Sequence, residues 1–234
     1  MLRPLNHPDL IRDSVHRVAQ AATVRALTAD RSAAALFRLI RESLAYQSDF
    51  TSTLERQGRV DCREGCVWCC YLMVHVTAPE ALLIAQYIRD VVPSGTAAIL
   101  GRRLAHSARR ARYHGQAGYA KARIQCGLLL KDRCAVYPVR PVNCRACVSP
   151  DRSLCRDEFD KRSQGVTAPS SRQHRSYAAG LKSGLLSGLK AIGIDAQKAS
   201  KLELNNAVMI ALQTENAAEE WLSGRLSFES AYGL

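Results

Sequence analysis

The sequence predicts a mainly α protein, a helical domain around an irregular, loop-rich cysteine and metal centre. Three observations support this. Apolar residues recur at helical spacing in five separate stretches. No stretch shows convincing β alternation, and there is no internal repeat. Finally, the nine cysteines crowd into two segments, 62–70 and 126–155, where the helical pattern breaks.

The first helix is predicted over Leu10 to Leu27, with Ile11, Val15, Val18 and Ala22 as its apolar stripe. A second spans Ala33 to Leu54 with Leu36, Ile40 and Leu44. Together they read as an antiparallel pair joined near Ala29-Asp30. A third starts at Thr77-Ala78-Pro79-Glu80, where Thr77 can cap, Pro79 suits the first turn and Glu80 sits three after the cap. Ile84, Ala85, Ile88 and Val91 give it an apolar face, and Pro93-Ser94-Gly95 ends it. Arg172 to Ile192 is a further helix, with Leu181, Leu185, Leu189 and Ile192 on one side and Gly193 just past its end. In the same stretch Gly180, Gly184 and Gly188 fall at helical intervals and suit close helix packing rather than a cofactor loop. Lys201 to Leu222 reads as one last long helix with Leu204, Val208, Ala211 and Leu212, closed by Gly224. The chain is expected to form a single domain in three parts: an N-terminal helical pair (1–59), a cysteine core (60–155) and C-terminal helices (156–234).

Composition narrows the class. Hydrophobic residues make up 47% of the 234, enough for a real core. No apolar run approaches the ~20 residues of a membrane span. Nothing near Met1 to His7 reads as a secretory signal, so a cytoplasmic location without a membrane partner is expected. Thiols stay reduced there, and an odd number of cysteines reads as metal ligands or redox groups rather than a disulfide framework.

The net charge of +12 favours acidic partners. It is densest between Gly101 and Gln125, where Arg102, Arg103, Arg109, Arg110, Arg112, Lys121 and Arg123 meet no acid and Tyr113 and Tyr119 are interleaved. Residues 102–123 are therefore a candidate surface for nucleic acid or an acidic protein, set against the plainer reading of a solvated helix face. Part of the excess charge can also offset thiolates, since four of them around Zn²⁺ leave about −2.

Cys62, Cys66, Cys69 and Cys70 fall within nine residues, with Gly65 suited to the turn between them. The second segment supplies Cys126, Cys134, Cys144, Cys147 and Cys155. Such density points to a soft metal: zinc, copper(I) or an iron–sulfur cluster. Cys66/Cys69 with Cys144/Cys147 would form a paired-CxxC zinc site but leave the other five without a role. Vicinal Cys69 and Cys70 are better suited to two different centres, or to one centre and a separate redox or structural task. Tyr137, Arg140 and Arg145 lie among the cysteines, where they can neutralise thiolates or donate hydrogen bonds to a bound group. His75 and His106 are candidate bases, although nothing ties either to a cysteine in a catalytic arrangement.

Cys62-x3-Cys66-x2-Cys69-Cys70, then Cys126-Gly-Leu-Leu and Cys134-x2-Tyr137-x2-Arg140-Pro141-x2-Cys144-Arg145, resembles the CxxCxxCC, or YkgJ-like, cysteine-cluster family, described as zinc- or iron-chelating. The likeness covers about Val60 to Cys155. It implies ligand roles for Cys62, Cys66, Cys69, Cys70, Cys126, Cys134 and Cys144, with Cys155 as the eighth. Cys147 is not part of the pattern, and Gly127 stands where such a family usually has proline. The resemblance implies an iron–sulfur cluster, most readily [4Fe–4S], or zinc. It extends distantly to flagellin lysine methylases, which would make the chain a methyltransferase-like enzyme using S-adenosylmethionine. Structural zinc binding and redox or metal sensing remain alternatives. The spacing Cys62-x3-Cys66-x2-Cys69 is also that of radical S-adenosylmethionine enzymes. A β/α barrel needs about 250 residues, whereas only 165 helical-looking residues follow Cys69, so a conventional radical enzyme is not expected.

Overall fold

Capping chemistry sets where most helices begin. In the computed structural model, which describes residues 7–56, 60–63, 65–161, 170–194, 196 and 199–233, α1 runs Pro8–Ala29 with proline in its first turn. Ser32 accepts a hydrogen bond from Ala35 N and opens α2, Ala33–Glu55. Thr77 and Glu80 form the expected capping box of α3, Ala78–Asp90. The longest helix, α4, spans Ser94–Tyr119 with a break in helical geometry at Gly115. Two short helices follow: α5, Val142–Ala146, and α6, Arg152–Asp160, which Asp151 caps. Ser171 caps α7, Arg172–Ala191. Residues 1–6 and the expected boundary at 57–59 lie outside the described residues.

The protein is mainly α, as expected, but three readings change. The stretch 201–222 is not one helix. Leu202–Glu203 is a short strand, α8 spans Leu204–Gln213, and α9 spans Ala217–Leu222 after a left-handed Asn216. Four two-residue strands occur among the described residues, too short for alternation to reveal. Numbered in chain order, β1 (His75–Val76) pairs antiparallel with β4 (Leu202–Glu203), and β2 (Leu129–Leu130) with β3 (Arg133–Cys134). The α1 stripe is also rotated: Ile11, Ala19, Thr23 and Leu27 are buried while Val18 is 69% exposed.

The rotation follows from the partner. α1 packs along α7 far more extensively than against α2. At the seam a Cβ on Gly180 would lie 2.5 Å from Arg12 O, one on Gly184 2.3 Å from His16 O, and one on Gly188 2.5 Å from Thr23 Cβ. Three glycines one turn apart therefore let the two backbones approach, and small residues of α1 meet them. Residues of α1–α5 and α7–α9 share one buried apolar cluster, in which α3 is enclosed on nearly all sides. Only its end escapes, with Val91 58% exposed.

Candidate metal centre

Four pieces of chain converge on one cavity of about 970 Å³. The first is the Cys62–Cys70 segment. Gly65 takes φ +82° in the turn before Cys66, and Trp68–Tyr71 forms a single 3-10 turn. Phe159 of α6 packs against Trp68 and Tyr71, with Arg123 4.6 Å above its ring. On the other side, Asp61 N donates to Ser149 O (2.9 Å) and Ser149 N donates to the Cys62 sulfur (3.3 Å).

The second piece is the β2–β3 hairpin. Cys126 N donates to Cys70 O (2.8 Å), which fixes the two cysteine segments to each other. Gly127 follows because no other residue fits: a Cβ would lie 2.6 Å from Leu104 Cα, and its N–H donates to Asn205 Oδ1 (2.8 Å). The third piece is α5, gripped from three directions. Gln47 of α2 donates to Val142 O (3.0 Å), Val142 N donates to Glu80 of α3 (2.8 Å), and Asn143 donates to His75 O (2.6 Å). This grip positions Cys144 and Cys147 on a helix too short to hold itself. The fourth is α7, whose Arg175, Ala178, Ala179, Lys182 and Leu186 recur at helical spacing on the cavity side.

Eight cysteines line this cavity: Cys62, Cys66, Cys69, Cys70, Cys126, Cys134, Cys144 and Cys147. All nine are free thiols and half-buried. Cys155, expected as the eighth ligand, is not a lining residue; its thiol donates to Asp151 O (3.8 Å) within α6, near enough to act electrostatically on Cys62 and Cys66. Cys147, absent from the motif, takes a place inside. The CxxC spacing with Cys144 was the signal for it.

Burial keeps most of these thiols protonated. It pushes Cys62 up to about 11 and Cys126 up to about 12, and raises Cys144, Cys134, Cys66 and Cys155 as well. Cys69 is the exception. The thiols of Cys147 and Cys70 donate to its sulfur, and the Arg140 guanidinium adds to their effect, so Cys69 is held well below the usual thiol range while its two donors are driven up. Among the described residues, no three His, Cys, Asp or Glu side chains are drawn together as a metal site.

The three predicted tuning residues fall in different roles. Arg140 lines the cavity, lies 4.3 Å over the Tyr137 ring and leaves its buried Nε without a hydrogen-bond partner. Tyr137 also lines the cavity. Arg145 is buried but donates to Arg140 O, Pro138 O and Ser48 Oγ, so it braces the 137–145 loop. Burial pushes its guanidinium down to about 10.

Much of the basic stretch braces structure too. Arg103 donates to Gln125, Arg110 to Ala122 O, Arg112 to Asn206, and Arg123 to Phe159 O. Tyr113 is 86% exposed while Tyr119 is buried. His106 sits on α4 away from the cavity lining, whereas His75 lines it.

No family profile, curated protein or solved structure matches the chain. The likeness to the CxxCxxCC family therefore rests on the motif residues alone. No helix among the described residues is long and apolar enough to cross a membrane.

Proposed function

We propose that this protein holds an iron–sulfur centre within the cysteine-lined cavity. The observation that supports the reading best is the gathering of eight free thiols, from segments more than fifty residues apart, around one cavity. Thiolates suit soft metals. A single zinc takes four thiolates and so does one [4Fe–4S] cluster, so the count of thiols does not separate them; the cavity of about 970 Å³ favours the bulkier cluster over a lone ion. The donor set fits in charge as well. Arg140 brings a buried, unpartnered N–H and a positive charge to thiols that metal binding would ionise.

The ligands would be drawn from Cys62, Cys66, Cys69, Cys70, Cys126, Cys134, Cys144 and Cys147, with Cys155 just outside the wall. A bound cluster supplies one-electron chemistry. The chain's own residues fix the thiols and offset their charge. Because most thiols must lose a proton to ligate, loading releases protons and weakens at low pH.

Serine substitution followed by metal analysis and visible absorption tests this reading. Cys69→Ser and Cys144→Ser are expected to lose most of the iron and the brown colour, and Cys155→Ser to keep most of both. Iron content unaffected by the first two substitutions would overturn the reading.

A further inference from the structure

The cavity is larger than the cysteines alone would explain, and part of its wall has a different chemistry. His75 on β1, Lys182 on α7 and Lys201 just before β4 all line it. The antiparallel pairing of His75 with Glu203 and Val76 with Leu202 runs Lys201 across from Thr77, two residues on from His75 and near enough for its charge to act on the imidazole. Among the described residues, none of the three side chains has a hydrogen-bond or ion-pair partner.

The nearby buried acids do not neutralise them. Glu80 accepts from Thr77 N (2.7 Å), Thr77 Oγ1 (2.8 Å) and Val142 N (2.8 Å). Glu203 accepts from the backbone and side chains of Asn205 and Asn206. Both carboxylates are thus occupied as helix caps. Glu55 and Asp132 line the cavity, but neither is among the charges that act on His75 or Lys182. Burial, and then the charges of Lys182 and Lys201, push the His75 imidazole below its ordinary value. Burial does the same to the Lys182 ammonium, with Glu80 opposing and Lys201 adding to the effect. The same cavity has an apolar lining as well, with Leu72, Val74, Leu128, Leu186 and Leu204. Two unpartnered ammonium groups, Lys182 half-buried and Lys201 exposed, with the His75 imidazole near them on the wall of a largely apolar cavity, are a site for an anionic head.

We infer that Lys182, Lys201 and His75 form an anion-binding subsite that takes the carboxylate or phosphate head of a small organic molecule, with its apolar body along the wall toward the cysteines. The subsite is independent of what the thiols hold. A cavity of about 970 Å³ is at the upper end of the range for small-ligand pockets, so a ligand of this kind and a metal centre can share it.

Calorimetric titration of the purified full chain tests the inference with three probes of equal chain length: octanoate, octyl phosphate and 1-octanol. At least one anion is expected to bind about ten-fold or more tightly than the alcohol, since a charge-assisted contact is being added, and the better anion identifies the head group. Lys182→Met and Lys201→Met should each weaken that binding by about ten-fold, while Lys182→Arg should retain it. Iron and sulfide content is read on the same samples. A colourless protein that still prefers the anion supports this inference while removing the metal centre. Equal binding of alcohol and anions, no binding of any probe, or undiminished binding by both methionine variants would overturn it.

Discussion

Substituting Gly184 by alanine adds one methyl group at the seam of α1 and α7. That carbon would lie 2.3 Å from His16 O, 2.7 Å from Ala19 Cβ and 3.0 Å from Gln20 N. Ordinary carbon contacts lie near 3.5 Å, and two of these atoms are backbone and cannot rotate aside. α1 must therefore retreat by about 1 Å, which puts the overpacking penalty toward the upper end of its range, about 3 kcal/mol. Alanine returns about 1 kcal/mol through its better helix propensity, leaving a net loss of about 2 kcal/mol. In a chain of this size that lowers Tm by about 4–8 °C. Gly101→Ala is the matched control. It lies inside α4 with nothing within 4 Å of its Cβ position, so it gains up to about 1 kcal/mol. Differential scanning calorimetry on both variants reads the difference. If Gly184→Ala proves as stable as Gly101→Ala, the close α1–α7 approach is wrong, and so is the placement of the α7 face that lines the cavity.

Other substitutions probe the frame of the site. Gly127→Ala places a Cβ 2.6 Å from Leu104 Cα beside Cys126, and should reduce both urea stability, by about 2–3 kcal/mol, and iron content; a change in neither would contradict the packing. Glu80→Ala leaves Thr77 N and Val142 N without their acceptor, so it should cost at least about 2 kcal/mol, against about 1 kcal/mol for Thr77→Ala, and a reversed order would remove Glu80 as the link between α3 and α5. His174 is buried, with Nδ1 on Ser171 Oγ (2.7 Å) and Nε2 unpartnered, and burial lowers its pKa from 6.5. The unfolded chain takes up that proton first, so this contribution to stability is complete above pH 6.5 and declines as pH falls below it. His174→Gln should flatten the decline between pH 7.5 and 5.5 relative to the parent, and an unchanged slope would refute that origin.

What the sequence revealed, it revealed through local chemistry. Thr77, Pro79 and Glu80 specify a helix start that needs no tertiary partner, and the capping box is where the pattern places it. The interval of Gly180, Gly184 and Gly188 signals close packing without naming the partner, and so helical spacing alone places Val18 on the α1 face, whereas the seam uses Ala19 and Thr23. The break at 214–216 was hidden because Val208, Ala211 and Leu212 keep helical spacing up to it, and Asn216 turns the chain with a left-handed residue that is not glycine. Dense cysteines announced a shared site, yet motif spacing favoured Cys155 over Cys147, and only the folding of α5 reverses their places at the cavity. Lys182 gave no signal at all, since one lysine on an amphipathic helix reads as solvent-facing until its neighbours are known.

The central claim is that the lining thiols hold an iron–sulfur centre, and the most direct measurement is iron, zinc and acid-labile sulfide per chain, with a visible spectrum, on protein purified without oxygen. The account predicts about four irons and four sulfides per chain in a brown protein. One or two zincs without sulfide, or no metal at all, would contradict it.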